Sequence, residues 1–338
     1  MQIDRTRLAF ATLCMLIALP GCQSTPGGSL PVGSVAGVRT MPDTTKIIYV
    51  TSPTYPHKIL GFKLGSTGNA KPVVTITSTS LYSPTFLAIA PSGKIYVDNG
   101  TYGPVRVFPA GANGSEQSSE LGGSTIHLAG GVAVDAFGQI YVSDVLSDEI
   151  YVWKKDATGN VNPIRTISGS NSLLNEPYGM ACDSHGNLWV ANAGNGSLGY
   201  GDSILEFAKG AHGNVSPITA IGGSRTGLKY PANVHIDPND RIITTGKDPN
   251  AVLIFTAGSN GNVPPGVTIS GSRTKLIGVT TVGGDYQGRI YATTYPPHSG
   301  YGSILVFGSQ AQGNASPVAD ITGPKTGFVE PLSPTLLH

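Results

Sequence analysis

Seven histidines are the first side chains to weigh, because three imidazoles aimed at one point would hold zinc and leave a position for water or substrate. Only His127, His235 and His298 lie in segments that could converge. His185 and His212 fall in turns, His57 in a separate loop and His338 at the C-terminus. The three sit at unmatched places in different copies of a repeat, which favours structural roles. A second set offers oxygen: Asn175, Glu176, Asn233 and Glu330 each stand just ahead of a short apolar run, with Tyr178 and Tyr230 beside them. Calcium would need about six to eight such donors. The matching segments at Ser83-Pro84 and Ile277-Gly278 add no carboxylate, so no metal or other cofactor is expected. A third set is aromatic. Gly199-Tyr200-Gly201-Asp202-Ser203-Ile204 and Gly300-Tyr301-Gly302-Ser303-Ile304 are near copies closing two long loops, the second of which also holds Tyr295 and His298. Tyr200 and Tyr301 could form a pair of lips for a sugar, peptide or other apolar-faced ligand, or could simply pack their own loops. Arg225, Arg273 and Lys325, each followed by Thr, form a repeated basic position that could meet an acidic ligand or stand solvated. Cys182 takes the place of Val134 and Ile236 in sister copies and reads as a buried small hydrophobe. No Gly-x-Ser falls on a strand-to-helix elbow, and neither a phosphate loop nor an EF-hand loop is present.

The elements that position these groups recur. Six aromatics, Phe62, Phe108, Trp153, Phe207, Phe255 and Phe307, end six short apolar runs spaced about 49 residues apart, a period that marks units stacking on copies of themselves. Each is preceded by a β-branched or aromatic triplet such as Ile95-Tyr96-Val97, Ile140-Tyr141-Val142 or Leu188-Trp189-Val190, so the copies are all strand. A tight turn with glycine near its end, such as Phe137-Gly138 or His185-Gly186, leads into most triplets. After the aromatic comes Gly68-Asn69, Gly159-Asn160, Gly213-Asn214, Gly261-Asn262 or Gly313-Asn314, with Gly114-Ser115 in the remaining copy. These near-identical turns ask for no more than turn geometry. Pro72, Pro163, Pro217, Pro265 and Pro317 follow three residues later, as suits the start of an edge strand. Softer runs such as Gly131-Val132-Ala133-Val134-Asp135 supply an innermost strand for a crowded axis.

From Lys46 onward the chain supplies six sets of second, third and fourth strands but only five inner strands between them. The sixth must come from an end. Glu330-Pro331-Leu332-Ser333 parallels Glu176-Pro177-Tyr178-Gly179, so residues 332–338 are expected to complete the first unit and remove its free edge. The phrase of inner strand, Asp-x-x-Gly turn, Ile-Tyr-Val and aromatic-ended strand resembles the NHL-repeat family of six-bladed β-propellers. The resemblance spans residues 46–338 and implies an all-β fold of six blades with four antiparallel strands each. It implies little about activity, because this fold carries lactonases, lyases and binding modules alike. The favoured expectation is a non-enzymatic module that binds a protein or glycan partner through Tyr200, Tyr301, His298, Tyr178, Glu176, Asn233 and Tyr230 at the mouth of the ring. The alternative implied by the resemblance is a metal-dependent hydrolase or lyase, lactonase-like or streptogramin-lyase-like, with Glu176 and Asn233 among the ligands.

The N-terminus sets the address. Arg5 and Arg7 precede an apolar stretch from Leu8 to Leu19 that is too short to remain as a spanning helix. Leu19-Pro20-Gly21-Cys22 follows and resembles the lipobox of bacterial lipoproteins, although Pro20 is unusual there; an ordinary secretory signal cut elsewhere is the other reading. Residues 1–21 are expected to be a signal peptide, Cys22 the lipidated residue, and 22–45 a flexible tether. Gln23 after the cysteine favours, by the same resemblance, the outer membrane of a diderm bacterium. Once Cys14 leaves with the signal, only Cys22 and Cys182 remain and no disulfide is available, so the domain must hold by its core. Charged residues are 12% of the chain against about 25% in typical soluble proteins, and the net charge is +1, which gives no reason to expect nucleic acid as a partner. A monomer is expected.

Overall fold

The computed structural model describes residues 47–100, 103–194, 202–247, 250–295 and 300–336. Among them, six antiparallel sheets succeed one another along the chain and form the blades of a six-bladed β-propeller. Blade two runs Leu87–Ile89, Ile95–Val97, Val105–Phe108 and Ser119–Leu121 from inside to outside, and blades three to six repeat that order. Blade one is composite. Its second, third and fourth strands are Ile47–Ser52, Lys58–Lys63 and Val74–Thr77, while its inner strand is the C-terminal Leu332–Leu336, paired antiparallel through Ile48 and Leu336. The ring therefore closes as the strand count requires.

The six periodic aromatics explain why the strands stack. Each pairs across its blade with an aliphatic residue at the start of the second strand, the first residue in five blades and the second in blade one: Ile48 with Phe62, Ile95 with Phe108, Ile140 with Trp153, Leu188 with Phe207, Ile242 with Phe255 and Ile290 with Phe307. All six aromatics are fully buried. Such aromatic and β-branched pairs stabilise a sheet, and each buried ring contributes roughly 1.5–3 kcal/mol of apolar burial. The Asp-x-x-Gly turns have an equally local cause. Asp135, Asp183, Asp237 and Asp285 each accept two turn N–H groups on Oδ1, as from Phe137 and Gln139 at 2.9 and 2.8 Å. Their Oδ2 atoms take Tyr141 Oη–H, Trp189 Nε1–H, Arg241 Nε–H and Tyr291 Oη–H respectively. The carboxylate thus fixes the hairpin and satisfies a buried polar tip.

The Gly-Asn turns correct the sequence expectation, because they are seams between blades rather than free turns. Gly68, Gly159, Gly213, Gly261 and Gly313 each pair with the outer strand of the preceding blade, bridging to Ile321, Leu121, Ile167, Ile221 and Ile269. The bond from Gly213 N–H to Thr166 O is 2.6 Å and the return from Ser168 N–H to Gly213 O is 3.1 Å. Gly114-Ser115 does the same against Ile76-Thr77 as a two-residue strand. The adjoining asparagine reaches across the seam to accept a main-chain N–H, as Asn314 Oδ1 does from Arg273 at 2.7 Å. Opposite it stands Gly271 at φ 117°, where an added Cβ would lie 2.7 Å from that same Oδ1. Glycine is needed there by conformation and by space. The first-to-last seam is doubly locked, by the C-terminal strand and by Gly68, and Phe62 meets Phe328 edge-on across it at 5.6 Å.

Candidate functional site

Inner strands begin and second strands end on one face of the ring, the mouth face, so the crossovers between blades and the loops joining second to third strands all meet there. Polar side chains at the ends of the second strands hold these crossovers. Asn192 Oδ1 accepts Asn175 N–H at 2.7 Å and its Nδ2 donates to Leu173 O at 3.0 Å. Asp144 accepts His127 N–H and Leu128 N–H at 2.7 and 3.2 Å, and Asn99 accepts Tyr82 N–H at 3.0 Å. A second row works from the neighbouring blade: Asp148, Asp202 and Asn250 accept the N–H of Glu176, Tyr230 and Val279 at 2.7, 2.5 and 3.2 Å. Burial, with the charge of Asp144 added, pushes the Asp148 carboxyl up from its ordinary range. These clamps keep Glu176 and Tyr230 at φ 48°, a conformation that costs of order 1–3 kcal/mol for a residue other than glycine.

The residues singled out from the sequence divide sharply. Tyr301 and Tyr230 are 42% and 41% exposed on the mouth face. Tyr301 is placed by Gly302, whose N–H donates to Val329 O at 2.6 Å and whose missing Cβ would strike Pro331. Glu176 is half-buried at the entry to the inner strand of blade four, and Tyr178 is nearly covered, its carbonyl accepting Ser143 Oγ–H at 2.8 Å. Asn233 is a correction. It is fully buried, its Nδ2 donates to Val282 O at 2.9 Å and its Oδ1 accepts Val282 N–H at 3.3 Å, so its carboxamide stitches two inner strands instead of facing a ligand. Tyr200, His298 and Cys22 lie outside the described residues.

Among the described residues the histidines are not brought together. His127 is largely solvated with Nδ1 3.2 Å from Asp144 Oδ2, whereas His235 is buried against Gly284, where any Cβ would collide with its Nε2. Among the described residues no three His, Cys, Asp or Glu side chains form a group that could hold a metal. With Asn233 spent on Val282, the calcium donor set considered from the sequence does not fit.

Two features of this face escaped the sequence reading. Two more tyrosines, Tyr55 and Tyr82, stand 83% and 49% exposed on its loops and, with Tyr230, Tyr301 and the 39%-exposed Tyr295 already noted from the sequence, make five among the described residues. The second is Asp98. Thr51, Ser143, Ala191, Thr245 and Thr293 occupy its place in the other blades, and all six positions are fully buried. Asp98 Oδ1 accepts the N–H and hydroxyl of Thr85, while Oδ2 has no hydrogen-bond partner. Burial pushes this carboxyl up to about 7, against the pull of bonds from Thr85, Phe86 and Gly100. The lone carboxylate in that column of small residues was the available signal.

Solved structures share the fold. A protein from Bacteroides caccae described as of unknown function overlays with a TM-score of 0.59 at 10% identity, covering 87% of this chain and 99% of its own. A protein from Lactobacillus plantarum overlays at 0.53 with 14% identity and 82% of each chain. Virginiamycin B lyase from Staphylococcus aureus gives 0.47 at 12% identity over 74% and 73%, too low to bear on activity. No protein-family model and no curated protein sequence matches the chain.

Proposed function

We propose that this chain is an NHL-like propeller that acts as a binding module, presenting its mouth face to a glycan or protein partner from a lipid anchor at Cys22. The observation that carries the reading is the distribution of exposed aromatics among the described residues: five tyrosines stand on the mouth loops, while Phe137 and Tyr286 are the large exposed aromatics on the hairpin turns of the other face. Tyrosine supplies broad apolar area with a polar tip at small entropic cost, which suits sugar faces and protein surfaces. The clamps at Tyr82 and Tyr230 fix the main chain that carries these two rings before any partner arrives, which reduces the ordering cost of binding. A glycan array and a pull-down from envelope extract, each run with and without chelator, test this on the full chain. Tyr230→Ala with Tyr301→Ala should abolish retention and leave the melting temperature nearly unchanged, as expected for exposed positions. Retention that survives this pair but fails in Phe137→Ala with Tyr286→Ala would move the functional face to the other side.

A further inference from the structure

Four crossovers are built alike. Each opens with the seam glycine, Gly169, Gly223, Gly271 or Gly323, and three residues later buries a hydroxyl, Ser172, Thr226, Thr274 or Thr326, that donates to that glycine's carbonyl at 2.6, 2.7, 2.7 and 2.6 Å. The residue between them, Asn171, Arg225, Arg273 or Lys325, gives only its main-chain N–H, to the next blade's asparagine at 2.7, 2.7, 2.7 and 2.6 Å. The turn therefore makes no demand on that side chain, and Asn171 serves as well as arginine. Yet three successive crossovers, from blade four to five, five to six and six to one, present a cation there. All three are exposed, and among the described residues none has a side-chain hydrogen bond or ion pair. By contrast Lys94, Arg106, Arg241, Lys275 and Arg289 are all paired.

Downstream of the cation the same arc turns apolar. Tyr230 follows Arg225, the 57%-exposed Ile277 follows Arg273, and Tyr301 adjoins the third crossover through the bond from Gly302 to Val329. We propose that this arc binds a linear anionic polysaccharide, with sugar rings on Tyr230, Ile277 and Tyr301 and acidic groups on Arg225, Arg273 and Lys325. The inference rests on the mouth-face reading above and names its ligand class. One unpaired cation per crossover among the described residues, Lys275 being tied to Asp320 and Lys229 also having a partner, is too sparse for a nucleic-acid backbone, whose binding draws on densely neutralised phosphate, and Ile277 offers a sugar C–H face contact but a base no stacking.

Affinity electrophoresis of the full chain in gels holding polygalacturonate, dextran sulfate, neutral dextran or oligo-dT tests it. Retardation by either anionic polysaccharide should exceed that by dextran and weaken with salt, because exposed charges are screened. The triple variant Arg225→Asn, Arg273→Asn, Lys325→Asn gives each turn the kind of residue blade three already uses, so its melting temperature should hold. Exposed ion pairs are individually weak, so losing three together should cost about tenfold in affinity for the anionic polymer. No retardation by either acidic polysaccharide, an unaltered triple variant, or stronger retardation by oligo-dT would each overturn the inference. Retention of neutral dextran that is abolished by Tyr230→Ala with Tyr301→Ala and untouched by the triple variant would sink it while leaving the binding-module reading standing.

Discussion

Replacing Asp98 by Asn should make the protein more stable at pH 8 and not at pH 4. In the native state this carboxyl is fully buried and titrates near 7, whereas its ordinary value is 3.8. Below the ordinary value both folded and unfolded chains hold the proton, and no penalty exists. Between the two values the unfolded chain gives up its proton while the native chain keeps it, so stability falls as pH rises. The loss reaches roughly 4 kcal/mol, from about 1.36 kcal/mol per pH unit over the gap between 3.8 and about 7, and then levels off. Asparagine matches the protonated carboxyl in shape and keeps the acceptor that Thr85 uses, but its amide hydrogens replace an Oδ2 that has no partner, at a cost of about 1–3 kcal/mol. The net gain above pH 7 is therefore about 1–3 kcal/mol, shrinking to zero or below at pH 4. Urea unfolding of both proteins at each pH unit from 4 to 8, with equal slopes required, reads this difference directly. A constant offset across the range, or a variant that loses stability as pH rises, would refute the assignment of a raised carboxyl at this position.

The seams make their own prediction: Asn314→Ala should cost about 0.5–1.5 kcal/mol and lower the melting temperature by about 1–3 °C, because Arg273 N–H loses its acceptor. Gly271→Ala should cost more, since it adds strain at φ 117° and a clash with the same asparagine. Deleting residues 332–338 should remove far more than the 2–5 kcal/mol typical of one buried leucine, since Leu332 and Leu336 are 2% and 0% exposed and blade one loses its inner strand; an unshifted melting temperature would show that another segment closes the ring. Cys22→Ser should abolish labelling by a radioactive fatty acid and release the protein from the membrane fraction, and persistent labelling would place the anchor elsewhere.

What the sequence could disclose depended on how far apart the interacting groups lie along the chain. The aromatic that ends each third strand meets its partner a hairpin away, at Ile140 and Trp153 for instance, so the repeat shows in the residue order itself. The closing strand was also legible, because counting strands needs no coordinates. Asn214, by contrast, bonds Asn171 and Asn314 bonds Arg273, 43 and 41 residues away on a neighbouring blade. Nothing local distinguishes such an asparagine from one that merely fills a turn. Asn233 shows the same limit at the mouth. Its position ahead of an inner strand suggested an open donor, and only the approach of Val282, 49 residues on, makes it a bridge. Yet the same cross-blade logic isolates what the fold does not require. Where a main-chain N–H carries the seam, the turn does not require the side chain above it, and Arg225, Arg273 and Lys325, which have no side-chain partner among the described residues, are where the proposed ligand finds its ground.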